Sequence, residues 1–172
     1  MRNILLIFGA IVLLAGCTSK EEKTFMQAYE KNKSYHRQLQ KTEKIQLYDG
    51  STTKALLTAT YLYSPGFQKE DKRDEVFIVG VYLEDNTVQN FNQNGFSLTL
   101  NGNIPKKIRK LPKGHPDLKD ISFVSEWNQF YLVTFPHESS KSFRLIFKSD
   151  SYGKGELYFA KVAKYMLSRE VL

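Results

Sequence analysis

The run Val76 to Leu83 is apolar on both faces that a β-strand presents. Phe77, Val79, Val81 and Leu83 fall on one face; Val76, Ile78 and Tyr82 fall on the other. Successive strand residues point to opposite sides of a sheet, so such a run has to be covered twice and belongs in the middle of a sheet. Gly80, without a side chain, leaves room there for a bulky group from a neighbouring strand or sheet.

Strand patterns recur on both sides of this run. Ile45 and Leu47 alternate with polar residues before the turn signal Asp49-Gly50-Ser51. Ala55 to Tyr63 places Leu57, Ala59, Tyr61 and Tyr63 on one face, and Ser64-Pro65-Gly66 stops it. Lys69 to Glu75, with Glu70, Asp71, Asp74 and Glu75, has the character of a solvated loop. Phe96 to Leu100 alternates cleanly into Asn101-Gly102, a type I′ hairpin signal. Ile104 to Leu111 is expected to return as an edge strand, because Pro105 and the lysines discourage further pairing. After a loop from Lys113 to Asp120, Trp127 to Phe135 forms a strand with Trp127, Tyr131, Val133 and Phe135 on one face. Phe143, Leu145 and Phe147 mark the next strand. Asp150 to Gly155 turns the chain, and Glu156 to Val162 pairs back; the tail from Ala163 extends that strand or adds a helical turn.

Seven or eight strands with no helical pattern between them exclude a parallel βαβ sheet. The expected fold is mainly β: an antiparallel immunoglobulin-like β-sandwich over residues 42–172, with a small barrel as the alternative. The cysteine pair of true immunoglobulin domains is missing, so the likeness is one of architecture only. Ahead of it, Thr24 to Lys41 lacks Gly and Pro and carries Phe25, Ala28, Tyr29, Asn32, His36 and Leu39 near one stripe. This predicts one amphipathic helix over 24–41, capped by Thr24, which lies against the domain rather than at its centre. Residues 17–23 are a short polar tether.

The chain starts with Met1-Arg2-Asn3 and an apolar run from Ile4 to Leu14, about the length of a secretory signal core and short of the roughly 20 residues that span a bilayer. Leu14-Ala15-Gly16-Cys17 resembles the lipobox of bacterial lipoproteins. That resemblance implies a signal peptide over 1–16, cleavage between Gly16 and Cys17, and a diacylglyceryl group on the Cys17 thiol. Thr18, rather than aspartate, after the cysteine resembles the outer-membrane class of Gram-negative lipoproteins more than the inner-membrane class. The lipidated chain would be an envelope protein attached to a membrane. Cleavage would remove 16 of the 172 residues and one charge, Arg2, leaving 156 residues with 24 basic and 18 acidic side chains. With the sole cysteine lipidated no disulfide can form; the 12 Phe and 10 Tyr of the full chain, all but Phe8 beyond the cleavage point, supply the packing instead.

Catalytic patterns are weak. His36, His115 and His137 have no ligand partner at helical or strand spacing, so no metal or cofactor is called for. Ser139-Ser140 beside His137-Glu138 has the composition of a hydrophilic hairpin turn, not of a nucleophile elbow. Glu84-Asp85-Asn86 lacks the spacing of a calcium loop. One stretch stands out: Lys106, Lys107, Arg109, Lys110 and Lys113 put five positive charges within eight residues. Near an anionic membrane each is worth ~1 kcal/mol; on an edge strand they also deter aggregation. The expectation is therefore a non-catalytic binding, adhesion or scaffold module. Its partner would be a protein or acidic polymer of the envelope, since an exported chain meets no nucleic acid. A small-ligand carrier or enzyme with a distributed site in a pocket is the alternative.

Overall fold

The structure, a computed structural model, describes residues 20–65, 71–85, 91–92 and 95–161. The lipobox with Gly16 and Cys17, the loop residues Lys69 and Glu70, and the tail from Ala163 lie outside them. Residues 1–33 and 34–172 form two compact units.

The expected single helix is two: α1 (Lys20–Lys31) and α2 (Lys33–Leu39). Asn32 separates them. Its amide N–H bonds to Tyr29 O at 3.1 Å, and its side chain donates to Ala28 O at 3.4 Å. Asparagine thus competes with the regular helical ladder, as short polar side chains do. Thr24 lies within α1 rather than at its start, and residues 20–23 of the expected tether are helical. No residue of α2 is buried, in keeping with a helix outside the core. Thr42 Oγ1 donates to Gln38 O at 2.7 Å where α2 gives way to the first strand.

Eight strands follow: β1 (Thr42–Asp49), β2 (Thr52–Tyr61), β3 (Glu75–Leu83), β4 (Phe96–Leu100), β5 (Lys107–Leu111), β6 (Gln129–Phe135), β7 (Ser142–Ser149) and β8 (Gly153–Ala160). They make two antiparallel sheets, ordered β1-β2-β3-β6-β5 and β4-β7-β8. The β-sandwich expectation holds. β3 is the central strand of the larger sheet and β5 is an edge strand, as their sequences require.

The core lies between the sheets. Leu57, Ala59, Tyr61, Phe77, Val79, Tyr131, Val133 and Phe135 of the larger sheet meet Leu98, Leu100, Phe143, Leu145, Phe147 and Phe159 of the smaller. Aromatic rings fill one end: Phe77 contacts Tyr61, Phe135, Phe143 and Phe159 with centroids 4.9–6.2 Å apart. At that spacing ring pairs add to the burial of their area. The second face of β3 is covered too. Ile78 packs with Leu111, Phe130, Leu118 and Ile121, the last two from the 112–128 connection that crosses the outer face. Gly80 receives Phe130: a Cβ at Gly80 would stand 2.7 Å from both Phe130 Cε1 and Thr58 Oγ1. Where β1 and β8 meet, Gly155 accommodates Ile45, whose Cγ1 would be 2.1 Å from a Cβ there.

Two expected hairpins change sheets instead. Asn101 and Gly102 do adopt positive φ (47° and 90°), and Leu100 bridges Asn103. Pro105 then ends the ladder, and the chain crosses to pair β5 with β6. The Phe135–Ser142 connection, expected as a hairpin turn, likewise carries the chain from β6 to β7 in the other sheet. Trp127 stands outside β6 and is 81% exposed. β8 starts at Gly153, inside the expected turn, because Tyr152 N–H and Ser151 N–H both bond to Ser149 Oγ and tighten the reversal.

Candidate functional site

Three places concentrate charge or exposed aromatic surface. The first is the basic edge. Lys106, Lys107, Arg109, Lys110 and Lys113 are all exposed, on or beside β5. Lys106 pairs with Asp74 at 2.7 Å, and Arg109 approaches Asp117 at 3.8 Å. Among the described residues, Lys107, Lys110 and Lys113 have no acidic partner. Ile108 and Leu111 between them turn inward, Ile108 against the main core and Leu111 under the 112–128 connection.

The second place is not among the sequence candidates, although strand phase points to it. Glu75, expected in the solvated loop, opens β3 and is 1% exposed. Its carboxylate accepts from Tyr61 OH, from the Glu138 amide at 2.9 Å and from Lys161 Nζ at 2.6 Å. His137 Nδ1 lies 3.6 Å away and also meets Arg73 O at 3.0 Å. Lys161 Nζ donates in addition to Glu138 O. Burial, followed by the hydrogen bond to Glu75, pushes the Tyr61 phenol well above its ordinary value, so it remains a proton donor. Around this group Arg73 stacks over Tyr63 at 5.2 Å and clamps Asp71 through two side-chain bonds of 2.7 and 2.9 Å. Those bonds hold the Asp71 carboxyl far below the usual range. Glu75 is sealed from solvent and has three donors on its oxygens. Chemically it is a brace: Lys161 follows β8 of the small sheet, Glu75 begins β3 of the large one, and their ion pair ties the sheets at one end.

The third place is the segment Ser122 to Asn128. Phe123 has φ +63°, rare for a bulky residue. Asn128 Nδ2 donates to Phe123 O at 3.4 Å. Ser122 Oγ is buried without a hydrogen-bond partner among the described residues. Phe123 and Val124 are 52% and 47% exposed, and Lys44 Nζ stands 5.7 Å from the Phe123 ring centroid.

The histidines do not converge. His36 is on α2; His115 caps a short 3₁₀ turn (Pro116–Leu118) by accepting from the Asp117 amide; His137 joins the brace. Among the described residues no three His, Cys, Asp or Glu side chains come close enough to hold a metal ion, and no helix is long and apolar enough to cross a membrane. A depression lined by Val81, Leu83, Asp85, Phe91, Trp127, Gln129 and Tyr131 has about 20 Å³ of water-accessible space, room for about one water. No known protein family, curated protein or solved structure matches this chain.

Proposed function

We propose that this chain is a bacterial envelope lipoprotein, held by lipid on Cys17 and placed at the outer membrane where two membranes exist. Its β-sandwich acts as a non-catalytic binding module for an acidic partner. The observation that carries the reading is the free charge on and beside the edge strand: Lys107, Lys110 and Lys113 are exposed with no acidic partner among the described residues. Lys106, by contrast, is neutralised by Asp74 at 2.7 Å. Unpaired cations instead attract an anionic surface over about a Debye length. The polar groups that do converge, around Glu75, are enclosed and bound to each other, which favours binding over catalysis.

The test has two arms. Replacing Cys17 by Ser should abolish palmitate labelling and leave the precursor uncleaved; continued labelling would refute the anchor. Replacing Lys107, Lys110 and Lys113 by Gln should weaken adsorption to polyglutamate and to anionic vesicles at least tenfold at low salt. A difference that persists unchanged in 0.5 M salt, or no difference at all, would refute the binding edge.

A further inference from the structure

We propose that the 122–128 segment is a membrane-interface wedge, with Phe123, Val124 and Trp127 entering the headgroup region of an anionic bilayer while the neighbouring lysines contact lipid phosphates. The proposal rests on the lipoprotein reading above and names the acidic surface that the basic edge meets.

Four observations converge. Three large apolar side chains within five residues are half to four-fifths exposed, Trp127 most of all at 81%. Tryptophan favours the membrane–water boundary, where its ring is in an apolar layer and its N–H stays wet. The surrounding charge suits anionic lipid. Residues 106–128 hold six Lys or Arg (Lys106, Lys107, Arg109, Lys110, Lys113 and Lys119) against Asp117, Asp120 and Glu126. Of these acids, Asp117 lies 3.8 Å from Arg109 and Asp120 accepts from Ser34 at 2.6 Å. The fold brings one of these cations to the aromatic end: Leu111 pairs with Phe130, so Lys113, two residues beyond Leu111, and Trp127, three before Phe130, leave the sheet at the same end, while Lys107 pairs with Thr134 at the other.

The segment is also held against its local preference. A phenylalanine at positive φ and a buried hydroxyl without a partner are adjacent, at Phe123 and Ser122. Such outliers persist where the surrounding fold imposes them and cluster at functional loops. Phe123 is 52% exposed, and Lys44 of β1 places a cation 5.7 Å from its ring centroid, within reach of lipid phosphates around the ring. Geometry permits contact. From Cys17 to Ser34 the chain spans at most about 60 Å even when fully extended, so the anchor keeps the sandwich within constant reach of headgroups.

Trp127 is the only tryptophan of the chain, and its fluorescence therefore reports the wedge without ambiguity. The full lipidated protein is reconstituted into vesicles of phosphatidylcholine with one quarter phosphatidylglycerol, with and without bromine on the acyl chains. Brominated lipid should quench Trp127 emission at least twofold, and acrylamide should quench it at least twofold less than in the Cys17→Ser chain without vesicles. Phe123→Gly with Val124→Ser should cut the bromine quenching by half or more. Glycine accepts the positive φ, so this variant keeps or raises the melting temperature, and lost insertion cannot be ascribed to unfolding. Flotation of the vesicles in high salt scores the anchor separately from the wedge. A protein that floats while Trp127 is unquenched overturns the wedge and keeps the anchor. Quenching in the natural-sequence protein, with mass spectrometry showing no lipid on Cys17, keeps the wedge and overturns the anchor.

Discussion

Breaking the Glu75–Lys161 pair should be the most damaging single polar change in the sandwich. The Glu75 side chain is 2% exposed and that of Lys161 11%, with 2.6 Å between Oε1 and Nζ. Removing one partner of a buried pair typically costs 3–5 kcal/mol, since the other charge is left without its counterion. The slight exposure of Lys161 sets the expectation at the low end, about 3 kcal/mol for Glu75→Gln and about the same for Lys161→Met. For a chain of this size that lowers Tm by about 6–12 °C. The two changes should not add. Once the charge on Glu75 is gone, glutamine still accepts from the Glu138 amide, so removing Lys161 relieves a stranded cation. The double variant should cost about 3 kcal/mol rather than 6, a coupling far above the ~0.5 kcal/mol scatter of independent sites. Urea unfolding followed by circular dichroism measures all four corners of the cycle. Two small, additive losses would show that Lys161 does not neutralise Glu75 and would undo the inter-sheet brace.

Gly80→Ala should cost about 2 kcal/mol net. A Cβ at 2.7 Å from Phe130 and Thr58 overpacks the outer layer, less the roughly 0.5–1 kcal/mol that alanine regains in backbone entropy; combining it with Phe130→Leu should recover much of the loss in the same unfolding assay. Acid should erode stability only at low pH. Hydrogen bonds from Arg73 lower the Asp71 carboxyl below its unfolded value of 3.8, and bonds from Lys154 lower Glu156 below 4.5. Their contributions are thus complete above those values and fade as pH falls through the lower folded ones; in thermal melts from pH 7 to 2, Asp71→Asn with Glu156→Gln should flatten the drop below pH 4. At the alkaline end the raised phenols reverse the direction. Burial raises Tyr61, Tyr63 and Tyr131 above 10.0, so their contribution is full below pH 10 and is lost as pH climbs past it; Tyr61→Phe should make that decline shallower.

What the sequence displayed well was the face each strand buries. Apolar residues on both sides of Val76–Leu83 require a central strand, and β3 has neighbours on both edges. Lysines and Pro105 require an edge, and β5 occupies one. Pairing partners were less visible, because alternation specifies which side of a strand is dry and not which sheet it joins. Asn101-Gly102 illustrates this. The dipeptide makes its tight turn as its type predicts, and yet Pro105, which cannot donate to a ladder, sends the strand after it to the other sheet. Trp127 failed for a related reason. It is in phase with Tyr131 and Val133, but the ladder begins only at Gln129, and the bond from Asn128 to Phe123 O bends the chain away first.

The same phase rule explains why the brace could have been found and the wedge could not. Glu75 is in register with Phe77 and Val79, Tyr61 with Ala59 and Leu57, His137 with Phe135, and Lys161 with Phe159. Tyr61 lies within its apolar run, and the other three each continue the buried parity of their strand by one step beyond it. A buried carboxylate and phenol that inherit an inward direction have to be satisfied by their neighbours, and the partly exposed imidazole and ammonium lie beside them. They meet around Glu75. Phe123, Val124 and Trp127 belong to no strand, and no periodicity fixes their direction. Their exposure follows from the anchor points on either side: Leu118 and Ile121 pinned over Ile78, and Phe130 pinned on Gly80. Between those two fixed points the chain must arch outward, and a positive φ at Phe123 is how it does so. A shorter arch should therefore be the most direct way to withdraw the wedge: deleting Val124 and Ser125 should leave the sandwich folded, with its circular dichroism and its urea midpoint nearly unchanged, while Trp127 loses its contact with brominated lipid. A deletion that unfolds the sandwich would mean that the segment supports the outer layer itself, and that its exposed rings are a by-product of covering β3.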